Sequence, residues 1–280
     1  MKKYKLIKEI FTLSNRKCDR TLYRIEALRD FGNVKAGDKG GFIESESNLS
    51  HEGDCWIYDD AQVFGLAKVS DDARVSDTAR VYDYANVFDN AHVYGSAQVY
   101  GSAKVCGEAR VSGMADVCGA AKVYDNARVY HDARVYGKAR VSQDANVSGA
   151  AKVSGEAHVF GHADVRGAAR VSGHALVFGE ALVRDNARVY GYAGVSGHAG
   201  VNGEAQVCGH ARVWDKATIT GSAKITGYAR VGDCARVGGA ARVSGRSLVD
   251  GNAIICGSAN ICGSSCIVEG EFTDGEFKNY

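Results

Sequence analysis

The sequence predicts an all-β fold, a single-stranded parallel β-helix of about 12 triangular coils with 18 residues in each coil. Two observations predict it. Residues 61–267 repeat an Ala-x-Val-x-Gly-x hexad without insertion or deletion, as in residues 97–102, and so short and strict a period is typical of a solenoid. The 280 residues contain no proline, which would remove an N–H group from a strand that lies between two others.

Each hexad is predicted to form one side of a coil. Ala at the first position and Val at the third are separated by one residue, so both side chains point to the same side of a strand. The fifth position is Gly or Asp in almost every hexad, with His131, Gln143 and Glu269 as the departures. Gly and Asp tolerate the left-handed conformation that a corner needs. A four-residue strand and a two-residue corner therefore close a coil after three hexads, and coils stack about 4.8 Å apart.

The two ends of the chain do not follow the hexad and are predicted to cap it. Residues 1–54 mix apolar and charged residues, and segments 4–13 and 22–31 can form a small hairpin or a strand and a helix. Residues 55–270 form the β-helix. Residues 271–280 form an acidic tail that contains Phe272 and Phe277. Because an open coil exposes an unpaired strand edge, both end segments are expected to cover one.

The lead-in to the first coil resembles a known family. Residues 40–50 read Gly-Gly-Phe-Ile-Glu-Ser-Glu-Ser-Asn-Leu-Ser, and residues 55–61 read Cys-Trp-Ile-Tyr-Asp-Asp-Ala. Together with the hexads, these stretches resemble the YdcK-like hexapeptide-repeat proteins of bacteria and their phages. The resemblance implies a left-handed β-helix, the fold of the hexapeptide acyltransferases. It also raises acetyl-CoA-dependent O- or N-acetyl transfer as an activity to weigh.

Composition argues against several classes of partner. The formal net charge is +1, so no global attraction to nucleic acid or to a membrane surface is expected. The N-terminus lacks the apolar run of a signal peptide, and no stretch is long enough to span a bilayer. Nine cysteines occur without a Cys-x-x-Cys pair, which favours reduced thiols in a cytoplasmic protein over disulfides or a metal site.

Histidines concentrate in one part of the repeat, residues 157–216. His162, Glu180 and His198 are eighteen residues apart, so they are predicted to line one corner on three successive coils. His174 and His210, with Tyr192 between them, are predicted to line the neighbouring corner in the same way. The face between the two corners carries His158, Phe160, Leu176, Phe178 and Trp214.

Leucine and glycine replace the usual charged residue at four second positions in this part of the chain. Leu176 and Leu182 occupy two of these positions, and Gly194 and Gly200 follow one coil later. An outward Leu next to a Gly is expected to make an apolar shelf with a notch. A partner could approach the backbone there.

Three interpretations of this part of the chain compete. A His general base, His162 or His198 oriented by Glu180, would suit an acyl-CoA groove. A divalent metal could bridge His162 and Glu180, although no third ligand is evident. In the third interpretation, histidine merely suits an exposed turn and the shelf packs against another subunit. We adopt the third, which assigns no catalytic residue, metal or cofactor. It makes Leu176, Phe178, Leu182, Gly194, Gly200, His174, His210 and Trp214 interface residues.

Two further surface rows have structural explanations as well as functional ones. Phe64, Tyr82, Tyr100 and Tyr136 are predicted to form a partial aromatic ladder, which stabilises neighbouring strands or forms an interface. Basic residues at second positions form a stripe that could bind a polyanion or simply keep the surface solvated; its members include Arg134, Lys152, Arg170 and Arg188.

Regularity favours a structural role for the whole chain. Catalytic groups are usually carried by loops that a scaffold holds in place, and the hexads contain no inserted loop. The sequence therefore predicts a non-enzymatic, rod-like scaffold or self-assembly module. Its partner would be a second copy or another protein on a flat face. The alternative is a hexapeptide-repeat acyltransferase that uses acetyl-CoA and a His general base.

Overall fold

The computed structural model describes residues 2–15 and 18–279. The chain forms two compact units, Met1–Gly137 and Lys138–Tyr280. The coil strands of each unit stack in parallel, which confirms the predicted all-β parallel solenoid, and a turn takes about 18 residues. The two units together contain about 13 turns, against the 12 predicted, because strands outside the hexads extend the ladders at both ends.

The first unit begins with three longer strands and a 3₁₀ turn. These elements are β1 (Tyr4–Asn15), β2 (Cys18–Ala27), β3 (Lys39–Ile43) and the 3₁₀ turn Glu46–Asn48. The coil strands of this unit are β4 (Trp56–Ile57), β5 (Gln62–Val63), β6 (Lys68–Val69), β7 (Arg74–Val75), β8 (Arg80–Val81), β9 (Asn86–Val87), β10 (His92–Val93), β11 (Gln98–Val99), β12 (Lys104–Val105), β13 (Arg110–Val111), β14 (Asp116–Val117), β15 (Lys122–Val123), β16 (Arg128–Val129) and β17 (Arg134–Val135).

The second unit consists of three sheets of eight strands. Its strands are β18 (Arg140–Val141), β19 (Asn146–Val147), β20 (Lys152–Val153), β21 (His158–Val159), β22 (Asp164–Val165), β23 (Arg170–Val171), β24 (Leu176–Val177), β25 (Leu182–Val183), β26 (Arg188–Val189), β27 (Gly194–Val195), β28 (Gly200–Val201), β29 (Gln206–Val207), β30 (Arg212–Val213), β31 (Thr218–Ile219), β32 (Lys224–Ile225), β33 (Arg230–Val231), β34 (Arg236–Val237), β35 (Arg242–Val243), β36 (Leu248–Val249), β37 (Ile254–Ile255), β38 (Asn260–Gly263), β39 (Cys266–Ile267), β40 (Glu271–Phe272) and β41 (Glu276–Asn279). Every third strand belongs to the same sheet.

The hexad determines burial as its pattern predicts. Each Ala at a first position from 61 to 259 is fully buried, and each Val or Ile at a third position from 63 to 261 is at most 1% exposed. Apart from β38, the hexad strands are shorter than predicted, with two residues in place of four, because the chain already turns towards the corner after the third position. The buried interior is narrow, which explains why small Ala and Val fill it.

The corners use side chains as well as backbone conformation. His131 and Gln143, the predicted departures at the fifth position, adopt φ of 60° and 56° like the Asp and Gly residues that they replace. Several aspartates at this position also accept a hydrogen bond from the corner N–H one turn later. Asp83 Oδ2 accepts from Gly101 N–H at 3.2 Å, and Asp185 Oδ2 accepts from Gly203 N–H at 3.1 Å. An Asp at the fifth position therefore supplies an acceptor for the corner N–H of the next turn. A Gly at the fifth position has no side chain to do so, and that N–H is left to solvent.

The N-terminal segment forms a hairpin rather than a strand and a helix. β1 and β2 pair antiparallel, and β2 pairs antiparallel with β3. β3 then pairs in parallel with β5, so parallel stacking already starts upstream of residue 55. Tyr4, Leu22 and Trp56 are buried between these strands and the first coil. That residues 1–54 cap the unpaired strand edge of the first coil stays a prediction.

The last turn departs from the hexad. Ile254 and Ile255 pair with Glu271 and Phe272, seventeen residues later instead of eighteen. The left-handed corner residue is Gly270, with φ of 94°, and not Glu269, which the hexad count had placed there. Phe272 and Phe277 then pack edge to face, with ring centroids 4.7 Å apart.

The aromatic ladder of the first unit exists in part. Phe64 stacks on Tyr82 and Tyr82 on Tyr100, with centroids 5.0 and 4.9 Å apart and rings within 2° of parallel. Burial raises the pKa of Tyr82 to about 12. Cys118 follows Tyr100 in this column, so Tyr136 does not continue the stack. The hydrogen bond between Tyr100 and Cys118 is the main cause that raises the pKa of Tyr100.

The described part of the chain contains no helix long and apolar enough to cross a membrane. All eight cysteines whose side chains are described have free thiols.

Candidate functional site

The candidate site lies on one sheet of the second unit. This sheet, the Leu176 face, contains β18, β21, β24, β27, β30, β33, β36 and β39. One corner column borders it on each side. The first, the His174 column, contains His174, Tyr192, His210 and Tyr228; the second, the His198 column, contains His162, Glu180 and His198. All of the histidines that the sequence singled out as candidates therefore lie next to a single face.

The His174 column is a continuous aromatic stack. His174 lies 4.7 Å from Tyr192, Tyr192 lies 5.0 Å from His210, and the ring planes are within 2° of parallel. Tyr228 extends the stack below His210 at 4.8 Å. The sequence reasoning missed Tyr228, although it follows His210 by eighteen residues, the same spacing that had identified the others.

The two ends of the His174 column differ in charge pairing: basic and acidic side chains pair at one end, and an arginine stands at the other. At one end, Glu156 Oε1 accepts a hydrogen bond from Lys138 Nζ at 2.9 Å, and Glu156 Oε2 lies 3.5 Å from His174 Nδ1. The hydrogen bond from Lys138 holds the pKa of Glu156 below its usual range. At the other end, Arg246 occupies the corner position one turn beyond Tyr228.

Two histidine–carboxylate contacts lie along the His198 column. His198 Nδ1 lies 3.1 Å from Glu180 Oε2, whereas His162 Nδ1 lies 4.0 Å from Asp144 Oδ2. Glu180 therefore orients His198, as the general-base interpretation requires, whereas the carboxylate next to His162 is that of Asp144. Within residues 2–15 and 18–279, no group of three His, Cys, Asp or Glu side chains is placed to hold a metal ion.

A cleft of about 640 Å³ opens on the Leu176 face above Gly194. Leu176, Gly194 and Arg212 are register partners on consecutive strands, so the missing side chain at Gly194 leaves the notch. Phe178 and Trp214 line the wall, and Phe178 stacks on Phe160 at 4.9 Å. The indole of Trp214 lies directly over Gly232 one turn later, where an added Cβ would overlap the ring.

The second predicted notch belongs to a different face. Leu182, Gly200 and Thr218 are register partners in the neighbouring sheet, so the two Leu–Gly pairs do not form one shelf as the sequence suggested. The error has a simple cause, because residues six apart lie on adjacent sides of a coil and only residues eighteen apart share a side. On that neighbouring sheet, Leu182 pairs with Asp164, and burial raises the pKa of this carboxyl group.

His158 has a local structural role on the Leu176 face. Its Nε2 lies 2.9 Å from Ser142 Oγ, and its ring packs against Phe160 with centroids 4.5 Å apart. Burial, and then the nearby Arg140, lower the pKa of His158. The imidazole is therefore neutral at neutral pH and buttresses the aromatic row Phe160–Phe178.

Comparisons with known proteins match short parts of the chain. The family model described as the YdcK β-solenoid repeat matches residues 121–137, which belong to the first unit. A protein of Escherichia coli (strain K12) described as "Uncharacterized acetyltransferase YdcK" is 43% identical over 70 residues. This match covers 23% of the chain and 22% of the relative, so the chain aligns with less than a quarter of that protein. These matches confirm the resemblance to the YdcK-like proteins at the level of the repeat: residues 121–137 match a β-solenoid repeat of the YdcK type.

Proposed function

We propose that the chain is a non-enzymatic β-solenoid scaffold that self-associates through the Leu176 face of its second unit. The observation that carries the proposal is the cleft above Gly194. There, Leu176 is 42% exposed beside the half-buried rings of Phe178 and Trp214. Aromatic residues with Arg around them are typical of the centre of a protein–protein interface.

The charges around the cleft support a second copy of the chain as the partner. Arg212 and Arg230 line the cleft together with Asp215. A two-fold contact presents the same patch from both subunits, so the arginines of one copy can meet the aspartate of the other. The formal net charge of +1 adds little repulsion between two copies.

Filling the notch tests the proposal. We expect Gly194→Arg to shift the protein from an oligomer towards the 29.7 kDa monomer in light scattering and to weaken self-association at least tenfold. The fold should tolerate the change, because the Cβ added at Gly194 has Arg212 Cγ, 4.0 Å away, as its nearest neighbour. The second position normally holds an outward charged residue in any case.

Gly200→Arg is the matched control. Its added Cβ lies 3.9 Å from Thr218 Cγ2, and it changes the same hexad position on the neighbouring face. Equal weakening by both variants would show that added charge, and not the Leu176 face, controls association. A wild-type protein that stays monomeric at every concentration would overturn the proposal.

One observation favours acyl transfer as a second candidate function. The 3.1 Å pair of His198 and Glu180 has the geometry of an oriented general base, and His198 also lines an open cleft of about 410 Å³ with Asp215 and Lys216. The relative described as an acetyltransferase fits this candidate. Its cofactor would be acetyl-CoA.

Thermal unfolding with acetyl-CoA separates the two functions. A cofactor at one hundred times its Kd stabilises a folded protein by about 2.7 kcal/mol. The scaffold proposal predicts an unchanged Tm at millimolar acetyl-CoA. A rise in Tm, together with acetyl transfer that His198→Gln abolishes and His162→Gln preserves, would establish the enzyme instead.

A further inference from the structure

Three arginines cluster at one end of the His174 column. Arg212 and Arg230 are register partners on β30 and β33, and Arg246 lies at the corner one turn beyond Tyr228. With Tyr192, His210 and Tyr228, they line an open cleft of about 410 Å³. The hexad pattern does not reveal this cluster, because its members occupy two different hexad positions.

No carboxylate of the described residues pairs with the three guanidinium groups, although Asp215 lines the adjoining cleft with Arg212 and Arg230. Within residues 2–15 and 18–279, none of them forms an ion pair or a side-chain hydrogen bond. The opposite end of the same column differs, because Lys138 is neutralised there by Glu156. Like charges on neighbouring strands repel one another, so an uncompensated cluster of this kind favours an anion from solution.

The geometry of the cleft restricts the kind of anion. The rings of the His174 column stack on one another at 4.7–5.0 Å, so the faces between them are covered and no further ring can insert there. The arginine row is also short, because Gly194 precedes it and Leu248 follows it at the same position of the sheet. A compact anion that accepts several hydrogen bonds fits this cleft better than a flat aromatic ring or a long polymer.

We propose that the cleft formed by Arg212, Arg230 and Arg246 binds a diphosphate group. The planar donor fork of Arg matches phosphate oxygens in a bidentate fashion, and three guanidinium groups can surround two linked phosphates. The hydroxyl groups of Tyr192 and Tyr228 and the imidazole of His210 supply further hydrogen bonds at the rim. The site shares Tyr192, Arg212 and Arg230 with the cleft of the proposed self-association, whereas Arg246 lines this site alone. It is separate from the cleft that His198 lines.

Calorimetric titration of the full chain with inorganic pyrophosphate tests the proposal, and ADP in a parallel titration serves as a diphosphate ester. We expect saturable binding at one site per chain, weakened at least tenfold in the Arg230→Gln/Arg246→Gln variant. Equal affinity for both probes would assign recognition to the diphosphate alone. Tighter binding of ADP would show that the ester also makes contacts, and it supports the proposal equally.

The matched control is the Arg110→Gln/Arg128→Gln variant. These two arginines are also register partners on consecutive strands, but their corner is occupied by Glu108 and Asn126 instead of aromatic rings. We expect pyrophosphate binding to be unchanged in this variant. Absence of binding by the wild-type chain, or the same loss in both variants, would overturn the proposal, since the second result would mean that any pair of surface arginines suffices.

Discussion

Replacement of Gly53 by alanine is expected to lower the free energy of unfolding of the first unit by about 3 kcal/mol. Gly53 has φ of 66°, where a non-glycine residue costs about 1–2 kcal/mol. Its added Cβ would also overlap the carbonyl group of Asp71 in the next turn. That carbonyl cannot retreat freely, because it accepts a hydrogen bond from Cys55 N–H at 2.8 Å, so a further steric cost of about 1–3 kcal/mol is expected.

Gly37→Ala separates the conformational cost of a positive φ from the steric cost of the overlap with Asp71. Gly37 has φ of 91°, yet no atom lies within 4 Å of the Cβ that alanine would add. Urea unfolding can be followed through the fluorescence of Trp56, which is 1% exposed, in a Trp214→Phe background. We expect Gly37→Ala to show the conformational cost alone. Equal losses in the two variants would contradict the steric argument.

The parts of the fold that the sequence predicts well are those in which one residue type has one physical task. Ala and Val recur because the interior of each turn offers space for a small side chain, and all of them are buried. The corner was predictable because a left-handed residue is needed at the fifth position, whether it is Gly, Asp, His131 or Gln143. The eighteen-residue step then placed the His174 and His198 columns correctly.

Other features depend on contacts that the period does not encode. Glu180 lies one turn from both His162 and His198, and side-chain geometry decides which of them it contacts. Only the structure shows that it contacts His198. The placement of Leu182 failed because the sequence interpretation combined two adjacent faces. The last strands pair seventeen and then sixteen residues after their partners, at Glu271 and Glu276, where the ladders end and no following turn enforces the hexad.

The N-terminal segment was the least predictable because its contacts are long-range. Lys3 lies in a run that reads Met-Lys-Lys-Tyr-Lys, and nothing local distinguishes it from its exposed neighbour Lys5. In the structure Lys3 is fully buried. Its Nζ donates hydrogen bonds to Cys55 O at 2.9 Å and Gly53 O at 3.2 Å, about fifty residues away in sequence. Lys3 lies outside the hexad repeat, so no sequence period predicts these contacts.

Lys3→Met is accordingly expected to lower the free energy of unfolding of the first unit by about 3 kcal/mol. Methionine keeps most of the volume of the side chain but removes every donor. The buried carbonyl group of Cys55 and the part-buried one of Gly53 then lose this partner. Lys3 Nζ also lies 3.2 Å from Cys55 Sγ and 5.0 Å from the ring centroid of Phe31, so these contacts are lost as well. The measurement is the same Trp56 unfolding curve.

Lys5→Met is the matched control, because Lys5 is exposed and pairs with Glu26 at 2.6 Å. A surface ion pair of this kind contributes at most about 1 kcal/mol. The thiol of Cys55 gives a second readout, since it is buried and burial raises its pKa. A loss of about 3 kcal/mol corresponds to roughly a hundredfold faster labelling of Cys55 by a thiol reagent through local opening. If Lys3→Met unfolds at the wild-type urea concentration and Cys55 stays protected, the carbonyl groups do not depend on Lys3, and the buried lysine is a tolerated feature of the first unit rather than a source of its stability.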